Sequence, residues 1–457
     1  MGAFRNIFFG AIFLIIAFSY QAYREVTKPF PKPEIDLDEY WGPGDGKSDK
    51  DPVEIKPFKI SISSKEIKRL TDKLNDSQAI TDPLEETTFE YGFNGNRLKE
   101  ILTYWKDEYL PKWKEHEGFL NQFPQYKTKI QGLDIHFIHV KPKTTENTKV
   151  YKILLMHGWP GSVREFYDII SLLTKPSKDN IAFEVVAPSL PGYGWSEGSA
   201  KQGLGTVKMS VIMRNLMIKL GFEKFYIHGG DWGYLIGSNI ATMFPKTVLG
   251  FHSNMCGITT PMSNIKTAIA SLCPSWFIEE EKLIDWIYPI TPKFMDLLQE
   301  ISNVHIQATK PDTIGVALRD NPVGLAAYNL ERFSTWSKLD NSKLKDGGFE
   351  NHFTLDALLD NIMIYYLSHS ITTAVRLEKE FFREISVYNI DRVPTNVPTG
   401  CAHFRHELLH QPNFVMKDKY TNIIHSSYYD KGGHFPAMEL PNVLYEDILE
   451  FIHKTKN

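Results

Sequence analysis

The chain has 457 residues, enough to bury a large core and to form more than one structural region. Its formal net charge of −4 and its pI near 6.4 argue against a nucleic-acid-binding protein, for which a basic domain is expected. The three cysteines, Cys256, Cys273 and Cys401, are odd in number and far apart, which disfavours a disulfide framework or a zinc ribbon and predicts reduced thiols.

The N-terminal segment contains an uncharged and mostly apolar run, Asn6–Tyr23, between Arg5 and Arg24. A bilayer core takes about 17–25 helical residues, so this run is just long enough to cross it. A cleaved signal peptide is the alternative, since Ala17–Ser19 resembles a small-residue cleavage site. Because the run is longer than the apolar part of a usual signal peptide, we expect residues 1–24 to be a retained single-pass anchor.

Residues 25–125 are expected to form an N-terminal extension that packs on the core. Its first part, residues 25–57, is rich in Pro, Asp and Lys and predicts a linker. Apolar residues recur at helical spacing in Ser63–Leu74, with Ser64 as the expected N-cap, and in Asn96–Tyr109. Two helices are predicted there.

From residue 126 onward, predicted strands alternate with predicted helices. The strands are Tyr126–Gln131, Ile135–Val140, Lys152–Met156, Phe183–Ala187, Phe225–His228 and Val248–Ser253, and the helices are Val163–Leu173, Val207–Leu220 and Tyr234–Phe244. Such alternation predicts an α/β fold with a mainly parallel sheet covered on both faces.

The alternation stops after Cys256 and resumes near the C-terminus. Residues 257–389 predict a helical cap, in which Asn361–Phe382 is the clearest long helix. Strands return at Val397–His403 and Ile423–Tyr429, and a helix follows at Pro441–His453. We therefore expect one core built from residues 126–256 and 390–457, with the cap over the sheet edge where such folds bind ligands.

The stretch Phe225–Gly233 combines a strand, a glycine-flanked turn and the start of a helix around a single carboxylate, Asp231. This is the layout of a nucleophile elbow. An Asp nucleophile displaces a leaving group from carbon and forms an ester, so the expected substrate is an alkylating electrophile rather than an ester. The alternative is a carboxylate that only caps the helix.

Two residues downstream complete the nucleophile, acid and histidine order of α/β-hydrolases. Glu407 follows one late strand, and His434 lies on the glycine turn Gly432–Pro436 after the other. Glu407 is predicted to orient His434, which is predicted to take a proton from water. A surface turn at Gly432–Pro436 is the alternative.

The motif His157–Ser162 follows a buried strand and precedes a helix. Backbone N–H groups of Trp159 and Trp232 are predicted to form an oxyanion hole for the Asp231 ester, in which one donor is worth about 2.7–4 kcal/mol. A plain turn into a helix is the alternative.

Two literal motif matches are rejected. His406–His410 fits His-Glu-x-x-His, but zinc binding needs a helix, and Pro412 follows after a strand-like run. Gly194–Gly198 fits Gly-x-Ser-x-Gly, but no helix follows its Ser196 directly, so a structural turn is expected.

Taken together, these motifs resemble the microsomal-type epoxide hydrolases, and among them most of all the insect juvenile hormone epoxide hydrolases. The stretches that carry the resemblance are His157–Ser162, Gly229–Gly233, Thr309–Thr313, Pro322–Tyr328, Glu407–His410 and Gly432–Phe435. The resemblance implies an α/β-hydrolase fold with a helical cap and an N-terminal anchor in the endoplasmic reticulum membrane, with the catalytic part in the cytosol. It implies no metal, no organic cofactor and no nucleic-acid partner.

The resemblance also implies a reaction. Asp231 attacks a lipophilic epoxide, either a juvenile-hormone-like terpenoid or a xenobiotic, while two cap tyrosines hold the departing oxygen. His434 and Glu407 then direct water to the ester and release a diol. One cap tyrosine maps to Tyr365, and the other position is occupied by Asn303. A carboxamide donates a hydrogen bond but no proton, so slower turnover is expected.

Two other functions compete with this one. A weakly active or inactive relative could bind a lipophilic epoxide or hormone, although a binding protein has no need for the base His434. An Asp-nucleophile dehalogenase is the third reading, and Trp159 disfavours it because many dehalogenases carry a side-chain amide at that position for the halide.

Overall fold

The computed structural model describes residues 2–46, 51–76 and 80–456. Its centre is a nine-stranded sheet with the order β1-β2-β3-β5-β4-β6-β7-β8-β9. The strands are β1 (Ile55–Phe58), β2 (Gln125–Ile130), β3 (Leu133–Val140), β4 (Lys149–Met156), β5 (Ile181–Pro188), β6 (Phe225–Gly229), β7 (Val248–Ser253), β8 (Thr399–Phe404) and β9 (Ile423–Tyr429). Pairings from β1 through β3 to β5 are antiparallel, and all others are parallel. The predicted mainly parallel sheet is confirmed.

The central strands are buried on both faces. Leu154 of β4, Val186 of β5 and Ile227 of β6 are fully enclosed, as expected for continuous apolar runs in a sheet covered on both sides. Their carboxyl ends lie at one edge, so the loops that leave β4, β6, β8 and β9 meet there.

The described part of the N-terminal region contains four α-helices. They are α1 (Gly2–Thr27), α2 (Ser64–Asn75), α3 (Gly95–Tyr104) and α4 (Trp113–Leu120). The N-cap of α2 is Ser63, not the expected Ser64, because Ser63 and Glu66 form a reciprocal capping box. The predicted linker over residues 25–57 contains the start of the edge strand β1, which is too short to show a clear alternation. None of the helices in the described ranges is both long and apolar enough to cross a bilayer.

Three helices accompany the first part of the core: α5 (Tyr167–Leu173), α6 (Thr206–Lys219) and α7 (Trp232–Met243). The cap follows with eight: α8 (Pro261–Ala270), α9 (Glu281–Ile287), α10 (Ile290–Glu300), α11 (Ser302–Thr309), α12 (Pro311–Arg319), α13 (Pro322–Thr335), α14 (Leu355–Ser368) and α15 (Ile371–Tyr388). The chain returns to the core and adds α16 (Asn413–Met416), α17 (Pro436–Glu439) and α18 (Pro441–Lys454).

The single long helix predicted at Asn361–Phe382 is wrong, because α14 and α15 are separate helices. His369 adopts a left-handed conformation with φ of 56° and ends α14. The hydroxyl of Ser370 accepts a hydrogen bond from the Gly194 N–H, and the Thr373 hydroxyl donates to the Gly192 carbonyl. These contacts fix the start of α15 on the loop that follows β5.

The prediction of three reduced thiols is also wrong, since Cys256 and Cys401 form a disulfide. The two residues are 145 positions apart, with Cα atoms 6.0 Å apart. The sequence hides this proximity because the whole cap lies between the neighbouring strands β7 and β8, on which Ser253 is opposite Cys401. Cys273 remains a free, partly buried thiol.

Candidate active site

Asp231 lies on the sharp turn between β6 and α7. Its φ is 50° and its ψ is −125°, a strained conformation of the kind found at functional sites. A side chain at Gly233 would collide with the Met156 carbonyl of β4, and one at Gly158 would collide with Asp231 itself. The glycines therefore allow the elbow to approach the neighbouring loop closely.

One oxygen of the Asp231 carboxylate is held by the loop after β4. The Trp159 N–H donates a 2.8 Å hydrogen bond to Asp231 Oδ1. Trp232 is the first residue of α7, and N–H groups in the first turn of a helix have no intrahelical acceptor. Of the two predicted oxyanion donors, Trp159 therefore lies in the loop after β4 and contacts Asp231 Oδ1, and Trp232 follows Asp231 at the start of α7.

His434 lies between two carboxylates. Its Nδ1 is 2.8 Å from Glu407 Oε1, and its Nε2 is 3.4 Å from Asp231 Oδ2. The side chains of His434 and Glu407 are almost fully enclosed, whereas 23% of the Asp231 side chain remains accessible. The three residues predicted from chain order are therefore brought together, with the nucleophile on the open side.

The two carboxylates set the protonation of the imidazole. Burial disfavours the charged form of His434, but the charges and hydrogen bonds of Glu407 and Asp231 outweigh burial and raise its pKa well above the usual value. Neutralising Asp231 would remove one of these charges and lower the pKa of His434.

The turn that carries His434 is held by a residue that sequence reasoning missed. The Glu439 carboxyl accepts hydrogen bonds from the N–H groups of Gly433 at 3.0 Å and Phe435 at 2.9 Å. The His434 N–H donates to the Trp336 carbonyl at the end of α13. The base is therefore positioned by both the core and the cap.

Aromatic rings pack beside Asp231 and His434. The Trp336 ring is 5.0 Å from His434 and 5.9 Å from Trp159, both in edge-on arrangements, and Tyr328 of α13 is 5.6 Å from Trp159. Such a wall suits an apolar substrate and excludes water from the charged groups.

The two residues predicted to hold the departing oxygen lie on different cap helices. The Tyr365 hydroxyl on α14 donates a 2.7 Å hydrogen bond to the Gly161 carbonyl, two residues beyond Trp159. Burial and the charges of Asp231 and Glu165 raise its pKa well above 10. Asn303 on α11 is 3% exposed, and its Oδ1 has no hydrogen-bond partner among the described residues.

Two further buried carboxyls near Asp231 were not singled out from the sequence. Burial raises the pKa of Glu165, on the turn after the Trp159 loop, to about 8, and it raises the pKa of Glu378 on α15 to about 8, with Asp231 adding to both shifts. A signal for Glu378 was present, because an acidic residue interrupts the apolar stripe of a predicted helix.

Both rejected motifs have structural roles. The Ser196 hydroxyl donates to the Ser189 carbonyl and accepts from the His136 N–H, so it is part of a turn. His406 and His410 lie in the loop after β8, which is not helical. This loop delivers Glu407 to His434.

Another group has donors typical of metal ligands: His252, His425 and Asp447 lie within 4.8 Å of one another in the core. His252 Nε2 is 2.7 Å and His425 Nε2 is 3.1 Å from Asp447 Oδ1, and the Tyr429 hydroxyl donates to Asp447 Oδ2 at 2.6 Å. Asp447 is therefore a buried carboxylate that accepts hydrogen bonds from His252 and Tyr429, with the His425 ring beside it.

Comparisons with known proteins identify the family of the chain. The family described as "Epoxide hydrolase N terminus" matches residues 55–166, and "alpha/beta hydrolase fold" matches residues 151–273. Juvenile hormone epoxide hydrolase 2 of Ctenocephalides felis is 48% identical over 94% of this chain and 92% of its own length. Epoxide hydrolase 1 of Sus scrofa is 43% identical over 91% of this chain and 92% of its own length.

A solved structure extends the comparison. The crystal structure of juvenile hormone epoxide hydrolase from the silkworm Bombyx mori matches with a TM-score of 0.90 at 44% identity, covering 92% of this chain and 99% of that chain. The chain therefore belongs to the epoxide hydrolase family and is an epoxide hydrolase with the α/β-hydrolase fold.

Proposed function

We propose that this enzyme converts a lipophilic epoxide to a diol through an ester on Asp231. The observation that carries the proposal is the placement of the Asp231 carboxylate between the Trp159 N–H at 2.8 Å and His434 Nε2 at 3.4 Å. The first contact holds one oxygen, and the second places a base beside the other.

The reaction has two steps. Asp231 Oδ2 attacks an epoxide carbon from the side opposite the departing oxygen, and the carbon–oxygen bond breaks. His434, oriented by Glu407, then takes a proton from a water molecule that attacks the ester carbonyl. The N–H groups of Trp159 and Trp232 stabilise the negative charge that develops on the carbonyl oxygen. The products are a diol and the original carboxylate.

The substrate class follows from the aromatic wall and from the relatives. The walls formed by Trp159, Trp336 and Tyr328 suit an apolar molecule. The flea and silkworm relatives are named for juvenile hormone, so a terpenoid epoxide ester is the first substrate to test, and an aryl epoxide such as styrene oxide is the xenobiotic alternative.

The departing oxygen needs hydrogen-bond donors on the cap side. Tyr365 and Asn303 are proposed as such donors, and Asn303 supplies a hydrogen bond without a proton. Loss of one donor that acts in the transition state typically lowers the rate about 10²–10³-fold, so turnover is expected to be slow if these two act alone.

The test is mass spectrometry of the Asp231 peptide under single-turnover conditions. We expect the substrate mass on this peptide in the wild type, its accumulation in His434→Gln, and its absence in Asp231→Ala, which should lose turnover by a factor of about 10⁴ or more. Ester on another residue, or a diol without any ester, would overturn the mechanism.

The same experiment separates the alternatives. A protein that only binds epoxides would form neither ester nor diol. A dehalogenase would form the ester from an alkyl halide faster than from an epoxide and would release halide. The hydrogen bond between His434 and Glu407 supports hydrolysis over binding alone.

We also propose that α1 attaches the enzyme to the endoplasmic reticulum membrane. Apolar side chains of α1 are exposed, among them Phe13 at 70%, Leu14 at 68% and Phe18 at 74%. Resistance to carbonate extraction in the full chain, and its loss when residues 2–24 are deleted, would support attachment.

Cytosolic reductants keep thiols reduced, so the Cys256–Cys401 disulfide argues against the expected cytosolic position of the catalytic part. Thiol labelling in intact cells would show which face of the membrane carries it.

A further inference from the structure

The buried face of α15 lies over the Asp231 elbow. Ile371, Ala374 and Val375 are at most 1% exposed, and Glu378 and Phe381 continue the same face at helical spacing. The Phe381 ring packs against Trp232, the residue after Asp231, with centroids 5.3 Å apart. Glu378, one turn before Phe381, therefore points toward the space between the cap and Asp231.

Glu378 is buried without a partner. It is 7% exposed, and no hydrogen bond or ion pair joins it to any residue that the structure describes. Burying a carboxyl in this way is costly unless the group is neutral. By contrast, Glu384 on the same helix is equally buried, but its Oε1 accepts hydrogen bonds from the Thr206 hydroxyl at 2.5 Å and the Val207 N–H at 3.0 Å.

The charged neighbours on α15 and α12 are engaged elsewhere. Arg376 forms an ion pair with Asp312 at 2.7 Å, the Lys379 ammonium donates to the Thr309 carbonyl, and Glu380 accepts from the Gly203 N–H. These groups leave Glu378 without a compensating cation.

The groups from other elements that interact electrostatically with Glu378 are the Asp231 carboxylate, which raises its pKa, and the Tyr193 and Tyr328 phenols, whose pKa values Glu378 raises. The Arg332 guanidinium stacks on the Tyr328 ring at 4.9 Å, donates to the Ser302 hydroxyl and forms an ion pair with Glu331. Burial first and the Asp231 charge second raise the pKa of Glu378 to about 8, so at neutral pH it carries its proton.

The strength of this acid distinguishes it from the other cap donors. The pKa of the Tyr365 phenol is raised well above 10, and its hydroxyl is committed to the Gly161 carbonyl. Asn303 has no acidic proton to give. Glu165 has a similar pKa but lies beside the Trp159 loop, on the core side. Because Asp231 attacks from the core side, the departing oxygen faces the cap.

We propose that Glu378 is a catalytic residue, the acid that protonates the departing epoxide oxygen. This inference rests on the proposed Asp231 mechanism and names the proton donor that it lacks. As the Asp231 Oδ2–carbon bond forms and the carbon–oxygen bond of the epoxide breaks, the Glu378 carboxyl proton passes to that oxygen. Ester hydrolysis later releases one net proton from water, which restores the Glu378 acid and closes the balance.

The charge of Asp231 controls the protonation of Glu378. The negative charge of Asp231 keeps Glu378 protonated in the resting enzyme. As the ester forms, that charge is neutralised, the pKa of Glu378 falls, and its proton becomes easier to give. The acid is therefore strongest while the bond is breaking.

The test is Glu378→Gln, which keeps the size of the side chain and removes the proton. In rapid-quench experiments with styrene oxide, we expect ester formation to slow about 10²–10³-fold. Ester hydrolysis should stay unchanged, because Glu378 acts only in the first step. In the wild type, ester formation should decline as pH rises past about 8, where Glu378 loses its proton, and this decline should be absent in the variant.

Glu384→Gln is the matched control, since it makes the same change at a buried position of α15 that faces away from Asp231. The glutamine oxygen can still accept from Thr206 and Val207, so both steps should remain as in the wild type. Equal ester formation in wild type and Glu378→Gln, or a wild-type rate that stays flat above pH 8, would overturn the proposal. The second measurement needs no variant to fold. Absence of ester on Asp231 in the wild type would instead overturn the proposed mechanism itself.

Discussion

The core side and the cap side of the active site are built in different ways. On the core side, Asp231, Glu407 and His434 follow β6, β8 and β9, and their side chains are joined by contacts of 2.8 and 3.4 Å. Neighbouring strands of one sheet fix the loops that carry them. The relay is therefore a property of the sheet, and a change in it should disable the enzyme outright.

On the cap side, three helices each contribute one polar side chain, and these side chains are not bonded to one another in the described structure. Tyr365 is on α14, Asn303 on α11 and Glu378 on α15. In the proposed mechanism, the cap can exchange such residues without disturbing Asp231, Glu407 and His434. The contrast therefore predicts that the core sets the capacity to form an ester and that the cap sets the speed of ring opening.

The largest effect is expected from Glu407→Gln. The amide retains the shape but no longer stabilises the imidazolium, and such a change in a triad lowers turnover about 10⁴-fold. The loss should fall on ester hydrolysis, so the Asp231 ester should accumulate in quenched samples. If ester formation slowed instead while hydrolysis remained fast, Glu407 would belong to the first step and the division between core and cap would fail.

Tyr365→Phe should have a smaller effect, and it distinguishes donation to the epoxide oxygen from positioning of the Trp159 loop. Its hydroxyl contacts the Gly161 carbonyl at 2.7 Å, so its removal frees the loop that holds Trp159. If Tyr365 also donates to the epoxide oxygen, ester formation should slow about 10²-fold, as for loss of one transition-state donor. If it only positions the loop, both steps should slow together. Rapid-quench rates for the two steps distinguish these outcomes.

Asn303→Tyr should raise the rate of ester formation several-fold, since a phenol donates a stronger hydrogen bond than an amide. Asn303→Phe is the control for size, and it should be slower than the wild type. An equal or lower rate in Asn303→Tyr would show that Asn303 does not limit ring opening and would leave Glu378 as the main donor.

The relay was predictable from the sequence because each member lies directly after a strand in a recognisable turn. Glycines at 229, 230 and 233 marked the elbow, and the chain order supplied Glu407 and His434. The core strands lie within a few residues of their predicted ends, since continuous apolar runs define them. The alternation of strands and helices likewise gave the parallel sheet.

The cap was harder to predict, because the sequence does not show which element each cap helix packs against. Periodicity alone joined α14 to α15, and only tertiary contacts of Ser370 and Thr373 with the loop after β5 explain the break at His369. Glu378 interrupts the apolar stripe of a predicted helix, but only the placement of α15 over Asp231 connects that signal with the active site.

The disulfide lies where the core joins the cap, and its removal is expected to have the smallest effect on rate. Cys256 lies where the chain leaves the core for the cap, and Cys401 lies on β8 just after it returns, so the bond closes the loop that contains the whole cap. Constraining so long a loop in the unfolded chain is worth about 2–4 kcal/mol of stability.

The double variant Cys256→Ala with Cys401→Ala should therefore melt at a lower temperature yet retain both reaction steps, because the hydrogen bonds of Glu407, His434 and Trp336 still hold the relay. Cys273→Ala is the matched control and should change neither property, since this thiol is free. A large loss of ester formation in the double variant would mean that the bond sets the position of the cap over Asp231, and ring opening would then depend on the core as well as on the cap.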